Sequence, residues 1–206
     1  MAPRDERCKV NMKDISLIGF MGCGKSSVGK ILATLLPECR LIDLDTYIEE
    51  KQGKNIPEIF NEYGEAAFRR MEREALEEIF SDKSRPRAIL SLGGGTVTSG
   101  QCRQLIRRHT DCFYLRATTD TLLGNLEGHS EGRPMLNPVQ PAEASPTETS
   151  SEREALRHRI ESLMQTRSPQ YIATAHHIID INGQTFAQIA EIIKEAVETN
   201  TLNIKR

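Results

Sequence analysis

Short apolar runs alternate along the chain with longer segments of helical period. The runs at 15–19, 41–44, 88–92, 112–115 and 177–181 are too short for helices and read as buried strands. Between them, 25–36 follows a glycine loop and stops before Pro37. Asn55 can cap a short helix that tolerates Pro57 in its first turn. Gly64 separates that helix from 65–80, where Phe68, Met71, Ala75 and Ile79 recur as a buried stripe. Ser151 with Glu154 fits a capping box for a long helix reaching Ala173. Thr185 begins a last helix whose apolar face is Ile189, Ile192, Ile193 and Val197. Strands and helices in alternation predict an α/β fold with a parallel sheet and crossover helices.

One stretch breaks this rhythm. Residues 137–151 are rich in Pro, Ser, Thr, Glu and Ala without apolar periodicity, and they follow the basic turn Gly132-Arg133-Pro134. The expectation is a surface insertion, a lid or a disordered loop, at about 125–152. Residues 1–13 read as a flexible extension and 14–206 as a single domain, which suits a chain of 206 residues.

Composition narrows the class. Hydrophobic residues make up 38% and charged ones 27%, and the formal net charge is −2 with both signs interspersed. That balance argues against a nucleic-acid partner held by bulk electrostatics. The polar first residues carry no signal-like apolar core, and no run approaches the roughly 20 apolar residues of a membrane span. Cys8, Cys23, Cys39, Cys102 and Cys112 form no CxxC pair, and their odd number fits reduced thiols in the cytoplasm.

The chemistry enters at Gly19-Phe20-Met21-Gly22-Cys23-Gly24-Lys25-Ser26, a full G-x-x-x-x-G-K-[ST] match with a strand before it and a helix after. Small residues let the backbone curl until successive N–H groups point at phosphate oxygens, and the helix start adds partial positive charge. Lys25 can reach the β- and γ-phosphates, and Ser26 can ligate Mg²⁺. Cys23 lies inside this loop, where an exposed thiol would be open to oxidation.

A phosphate loop specifies a nucleotide and no acceptor. Asp43 and Asp45 end the second predicted strand at the carboxyl edge of the sheet, and strand alternation points them the same way. One can hold water on Mg²⁺ while the other orients or deprotonates a hydroxyl; the plainer alternative is that Asp45 caps the next helix. Gly93-Gly94-Gly95 permits close backbone approach to a ligand, or is an ordinary turn. Arg69, Arg70 and Arg73 share a helix with Glu65, Glu72 and Glu74, which reads as a solvated, salt-bridged face that does not rank the arginines. Arg133 is a candidate for closing over phosphates, and Arg167 is equally anonymous.

Taken in order, these motifs resemble the shikimate kinase family over about 14–197. The shared residues are Gly19 to Lys30, Asp43-Leu44-Asp45, Phe68-Arg69-Arg70-Met71-Glu72, Leu92 to Gly95, Arg133-Pro134 and Arg167-Ser168-Pro169-Gln170-Tyr171. The resemblance implies a three-layer α/β/α P-loop kinase fold, nucleoside-monophosphate-kinase-like, with a five-stranded parallel sheet ordered 2-3-1-4-5 and a mobile lid. It implies transfer of the γ-phosphoryl group of ATP to the 3-hydroxyl of shikimate, with Mg²⁺, in a cytoplasmic monomer.

By that resemblance Asp45 binds the shikimate hydroxyls and acts as base. Arg69 and Arg167 grip the substrate carboxylate, Gly94 gives a backbone contact, and Arg133 is the lid arginine on the ATP phosphates. Gly22, Cys23, Gly24, Lys25, Ser26 and Ser27 hold the nucleotide, and Ser26 with Asp43 holds Mg²⁺. Two departures stand out: 122–126 lacks the arginine that stacks on adenine in many members, and the lid is lengthened. Another small-molecule kinase, acting on gluconate or a nucleoside monophosphate, would not need Arg69 and Arg167 to converge. A GTPase-type switch would carry an Asn-Lys-x-Asp run that this chain lacks.

Overall fold

The computed structural model describes residues 13–126 and 149–204. The lid expected around Arg133, the N-terminal extension and Cys8 lie outside the described residues. The order of elements is β1 Asp14–Ile18, α1 Lys25–Leu35, β2 Arg40–Asp43, α2 Leu44–Gln52, α3 Ile56–Ser81 and β3 Ala88–Ser91. A 3₁₀ turn Thr96–Thr98 leads to α4 Gly100–His109, β4 Thr110–Arg116 and α5 Thr119–Leu126. The chain then runs through α6 Thr149–Thr174, β5 His177–Asp180 and α7 Phe186–Ile204. The strands pair in parallel in the order β2-β3-β1-β4-β5. That is the 2-3-1-4-5 sheet expected from the resemblance.

Both faces of the sheet are covered, so its central strands read as nearly continuous apolar runs. In β4 the alternation is clean. Phe113 and Leu115 pack with Val28, Leu32, Ile189 and Ile193 of α1 and α7. Cys112 and Tyr114 pack on the other face with Leu76, Ile106 and Tyr171 of α3, α4 and α6. Three layers result, and β1 at the centre aims the chain emerging from its carboxyl end between them.

Several local expectations are corrected. Leu44 is not strand but the first residue of α2, and strand alternation does not orient Asp43 and Asp45. Asp43 is the helix cap, accepting from the Asp45 and Thr46 amides at 3.2 and 3.5 Å, so Asp45 sits in the first helical turn. Asn55 and Glu58 do form a reciprocal capping box at the start of α3. Gly64 bends this helix with φ 75° and ψ 170°. Ser151 lies inside α6, whose first residue is Thr149. Thr185 and Gln188 cap α7 reciprocally, but Ile192 is 41% exposed and does not belong to its buried face.

Candidate active site

The loop after β1 is shaped by glycine at two places where no other residue fits. Gly22 and Gly24 take φ of 82° and 88°, the left-handed region that favours glycine. A β-carbon on Gly24 would also lie 2.5 Å from the ring of Phe186. Gly24 is the N-cap residue of α1 and offers no side-chain acceptor to the first-turn amides. Those unpaired donors, with the helix dipole behind them, make an anion cradle.

Lys25, only 9% exposed, lies along the loop and donates to the carbonyls of Gly19 and Phe20 at 2.9 and 3.0 Å. The Cys23 side chain turns inward, fully buried, with Sγ 3.8 Å from Lys25 Nζ. It does not line the cleft, so the exposed thiol considered above is not there.

One cleft of about 570 Å³ opens in front of this loop. Gly22, Gly24, Lys25, Ser26, Ser27, Asp43, Asp45, Arg69, Gly94 and Arg167 all line it, drawn from five stretches of sequence. Every expected site residue within the described region except Cys23 therefore reaches a common cavity.

At the phosphate end, Ser26 Oγ donates to Asp43 Oδ2 at 2.8 Å and lies 3.2 Å from Ser91 Oγ. This hydroxyl–carboxylate pair matches the hard-oxygen ligands that Mg²⁺ takes from proteins, usually one or two beside water and phosphate oxygens. The same Asp43 carboxylate ties the phosphate loop to the start of α2, which carries Asp45.

At the acceptor end the three glycines have separate reasons to lack a β-carbon. One on Gly93 would lie 2.9 Å from Asp45 Oδ1 and 3.0 Å from Glu72 Oε1, and one on Gly95 would collide with the Arg69 guanidinium. On Gly94 it would come within 3.2 Å of the Met21 amide nitrogen in the phosphate loop. The Gly94 carbonyl accepts from the Tyr171 hydroxyl. Both earlier readings of this triplet meet here: it is a turn, and it lets charged groups close in.

Glu72 is the residue that the sequence reading misplaced. It is 0% exposed, not on a solvated face, and accepts from Arg69 Nη1 at 2.7 Å and from the Thr96 hydroxyl. Its position next to the Phe68 stripe and one turn beyond Arg69 was the available signal. Among the three arginines on α3, geometry now decides. Arg73 pairs with Glu77 and Glu74 at the surface, Arg70 is exposed, and only Arg69 turns into the cleft.

Burial raises the Asp45 carboxyl to about 6, and the neighbouring Glu72 and Asp43 charges add to the rise against the opposing pull of Lys25. Burial pushes Glu72 up as well, with Arg69 and Thr96 resisting. Among the described residues, two buried guanidinium nitrogens find no hydrogen-bond partner: Arg69 Nε and Arg167 Nη1. Arg167 as a whole is 4% exposed. Unpaired polar atoms at such depth are costly unless a ligand satisfies them. Phe60, Phe68 and Ile56 add an apolar wall.

A phosphate cradle between β1 and α1, a 2-3-1-4-5 parallel sheet, and a carboxylate with arginines across the same cleft define a small-molecule kinase of the P-loop class. The family model for shikimate kinase matches residues 21–198. The shikimate kinase of Chlorobaculum tepidum is 39% identical over 181 residues, 88% of each chain. Among solved structures, the shikimate kinase of Acinetobacter baumannii in complex with shikimate superposes with a TM-score of 0.78 at 30% identity. That match covers 93% of this chain and 96% of the other. The enzyme from Bacteroides thetaiotaomicron gives 0.75 at 28%, covering 90% and 98%. The chain belongs to the shikimate kinase family.

Proposed function

We propose that this chain transfers the γ-phosphoryl group of ATP to the 3-hydroxyl of shikimate, forming shikimate 3-phosphate on the route to aromatic amino acids. The observation that carries this reading is that Arg69 and Arg167, each with a buried guanidinium nitrogen lacking a partner, line the cleft that also holds Asp45 and the phosphate loop. A planar guanidinium fork is suited to a carboxylate, so two arginines on one cleft suit an acceptor that carries one.

In this proposal Arg69 and Arg167 fix the acid end of the substrate, and the Gly94 backbone contacts its ring. Asp45 binds the substrate hydroxyls, orients the attacking one and takes its proton. A carboxyl held near 6 is ionised at neutral pH, yet more basic than an ordinary aspartate. The amides of Gly22, Cys23, Gly24, Ser26 and Ser27 cradle the phosphates. Lys25 exchanges its contacts with the Gly19 and Phe20 carbonyls for phosphate oxygens. Ser26 and Asp43 would hold Mg²⁺, which when bound supplies positive charge against the phosphate oxygens. Arg133 is assigned to the phosphates as part of the lid. No covalent intermediate is needed: positioning and fixed charge do the work.

A cytoplasmic monomer belongs to the same proposal. Among the described residues no helix is long and apolar enough to cross a membrane. The test is ADP release from the purified chain with MgATP, comparing shikimate, gluconate, nucleoside monophosphates and no acceptor. Release above background with shikimate alone is expected. Equal rates with and without it, or faster release with gluconate or a nucleotide, would overturn the assignment.

A further inference from the structure

A tyrosine buried where phenylalanine would pack equally well is costly unless its hydroxyl is used. Tyr171 of α6 is fully buried, and its ring stacks on that of Tyr114 in β4, with centroids 4.9 Å apart and planes at 21°. The stack sets the direction of the hydroxyl, which donates to the Gly94 carbonyl. Burial pushes the phenol far above its usual range against the opposing charge of Arg167, so it stays a donor across the neutral range.

The accepting carbonyl is the odd one of its triplet. Those of Gly93 and Gly95 are taken by the Thr96 and Thr98 amides, at 3.1 and 2.9 Å, as the 3₁₀ turn forms. Gly94 instead turns its carbonyl into the core, to Tyr171. A β-carbon on Gly94 would come within 3.2 Å of the Met21 amide nitrogen, so the residue is wedged between α6 and the phosphate loop. The peptide that follows Gly94 is planar and trans, so a fixed carbonyl also fixes the Gly95 N–H, which points the opposite way. Gly94 and Gly95 both line the cleft, whereas Tyr171 does not.

Four residues before Tyr171 stands Arg167, buried, with Nη1 unpaired and its guanidinium carbon 6.0 Å from the ring centroid of Phe20 in the phosphate loop. Residues at this spacing share a helix face. One turn of α6 therefore carries the guanidinium assigned to the acceptor's carboxylate and the hydroxyl that holds the peptide assigned to its ring. We propose that Tyr171 is a positioning residue for the acceptor, its hydroxyl locking the Gly94–Gly95 peptide at a set distance from Arg167. The inference rests on the kinase reading of the preceding subsection and deepens its acceptor end. Tyr171 touches neither substrate nor phosphate and acts only through Gly94.

The test uses the full chain and two substitutions. Tyr171→Phe keeps the ring and its stack and deletes the hydroxyl alone. Tyr114→Phe is the matched control, removing a buried hydroxyl from the other ring of the stack, one partnered by Ser168 in place of Gly94. In Tyr171→Phe the shikimate KM should rise about five- to tenfold, the worth of one buried hydrogen bond. Its ATP KM, and both KM values of Tyr114→Phe, should stay within about twofold of wild type. Calorimetric titration with shikimate should show the same loss as an affinity.

An unchanged shikimate KM in Tyr171→Phe would overturn the proposal. Equal losses for shikimate and ATP, or an equal rise in Tyr114→Phe, would also overturn it, because the hydroxyls would then serve only the packing of α6. Should Tyr171→Phe not fold, a crystal structure of the wild-type chain with shikimate decides. The Gly94 carbonyl held by Tyr171, with the glycine backbone against the bound acceptor, supports the proposal, and a peptide turned away from Tyr171 overturns it. Failure of the wild-type chain to bind shikimate at all would instead sink the acceptor assignment, and this inference with it.

Discussion

At the scale of single residues, the site stores opposing demands in one carboxyl. Asp45 is half-buried beside Glu72 and Asp43, and its carboxyl is held near 6 where an ordinary aspartate titrates near 4. As the proposed base it must be ionised, so kcat/KM should fall as pH drops through about 6, and a pH–rate profile reads that limb. Because the folded value lies above the unfolded one, ionisation costs stability. The penalty is absent below about pH 4 and grows as pH rises to about 6.

Asp45→Asn should therefore abolish most turnover, leave ATP binding nearly intact and raise neutral-pH stability by about 1–3 kcal/mol. Coupled assays and thermal melts check the two halves separately. Unchanged turnover would remove Asp45 from its role. Glu72 is also pushed up by burial, but its charge, unlike that of Asp45, is paired directly with an arginine, Arg69. Removing one partner of such a pair leaves the other uncompensated. Glu72→Ala should cost about 3–5 kcal/mol by denaturant unfolding.

At the scale of elements, capping and bending decide where the side chains go. Asp43 closes α2 with its side chain and also accepts from Ser26, so one residue sets both the helix start and the phosphate-loop contact. Gly64 bends α3 between the segment bearing Ile56 and Phe60 and the segment bearing Phe68, Arg69 and Glu72. A β-carbon there meets nothing within 4 Å, so any cost of substitution is backbone strain alone. Gly64→Ala should destabilise by about 1–3 kcal/mol. A loss below a few tenths would mean that the bend relaxes freely.

What the sequence made legible follows from the same physics. The three central strands stood out because they are covered on both faces and almost continuously apolar, and the edge strands β2 and β5 because each still carries a short apolar run. Asn55, with Pro57 behind it, marked the start of α3 because cap chemistry is local. Helix α4 left little trace: within it only Cys102 and Ile106 are buried, too few to show a period. Glu72 was misread because a carboxylate in a run of charges looks solvated until the fold brings Thr96 and Gly93 over it. Arg69 could not be told from Arg70 and Arg73 because its ion-pair partners Glu65 and Glu72 lie on its own helix, as those of Arg73 do, and only the fold turns it toward the cleft.

At the scale of the whole molecule, the parallel sheet gathers five separate stretches at its carboxyl edge, as open α/β folds do. The resulting cleft has a phosphate end and an acceptor end that share the Asp43–Ser26 link and the close approach of Gly94 to Met21. Ligands at the two ends should therefore both stabilise the fold. Each would add about 2.7 kcal/mol at a hundred times its dissociation constant, read as a rise in Tm. A thermal shift with nucleotide but none with saturating shikimate would separate the acceptor end from the proposal.

The most direct test is a crystal structure of the chain with a non-hydrolysable ATP analogue, Mg²⁺ and shikimate. The account predicts the shikimate carboxylate within hydrogen-bond distance of both Arg69 and Arg167, and one ring hydroxyl against Asp45. Lys25 should lie on the phosphates in place of the Gly19 and Phe20 carbonyls. A carboxylate bound away from both arginines, or Lys25 still folded onto the loop with nucleotide present, would contradict it.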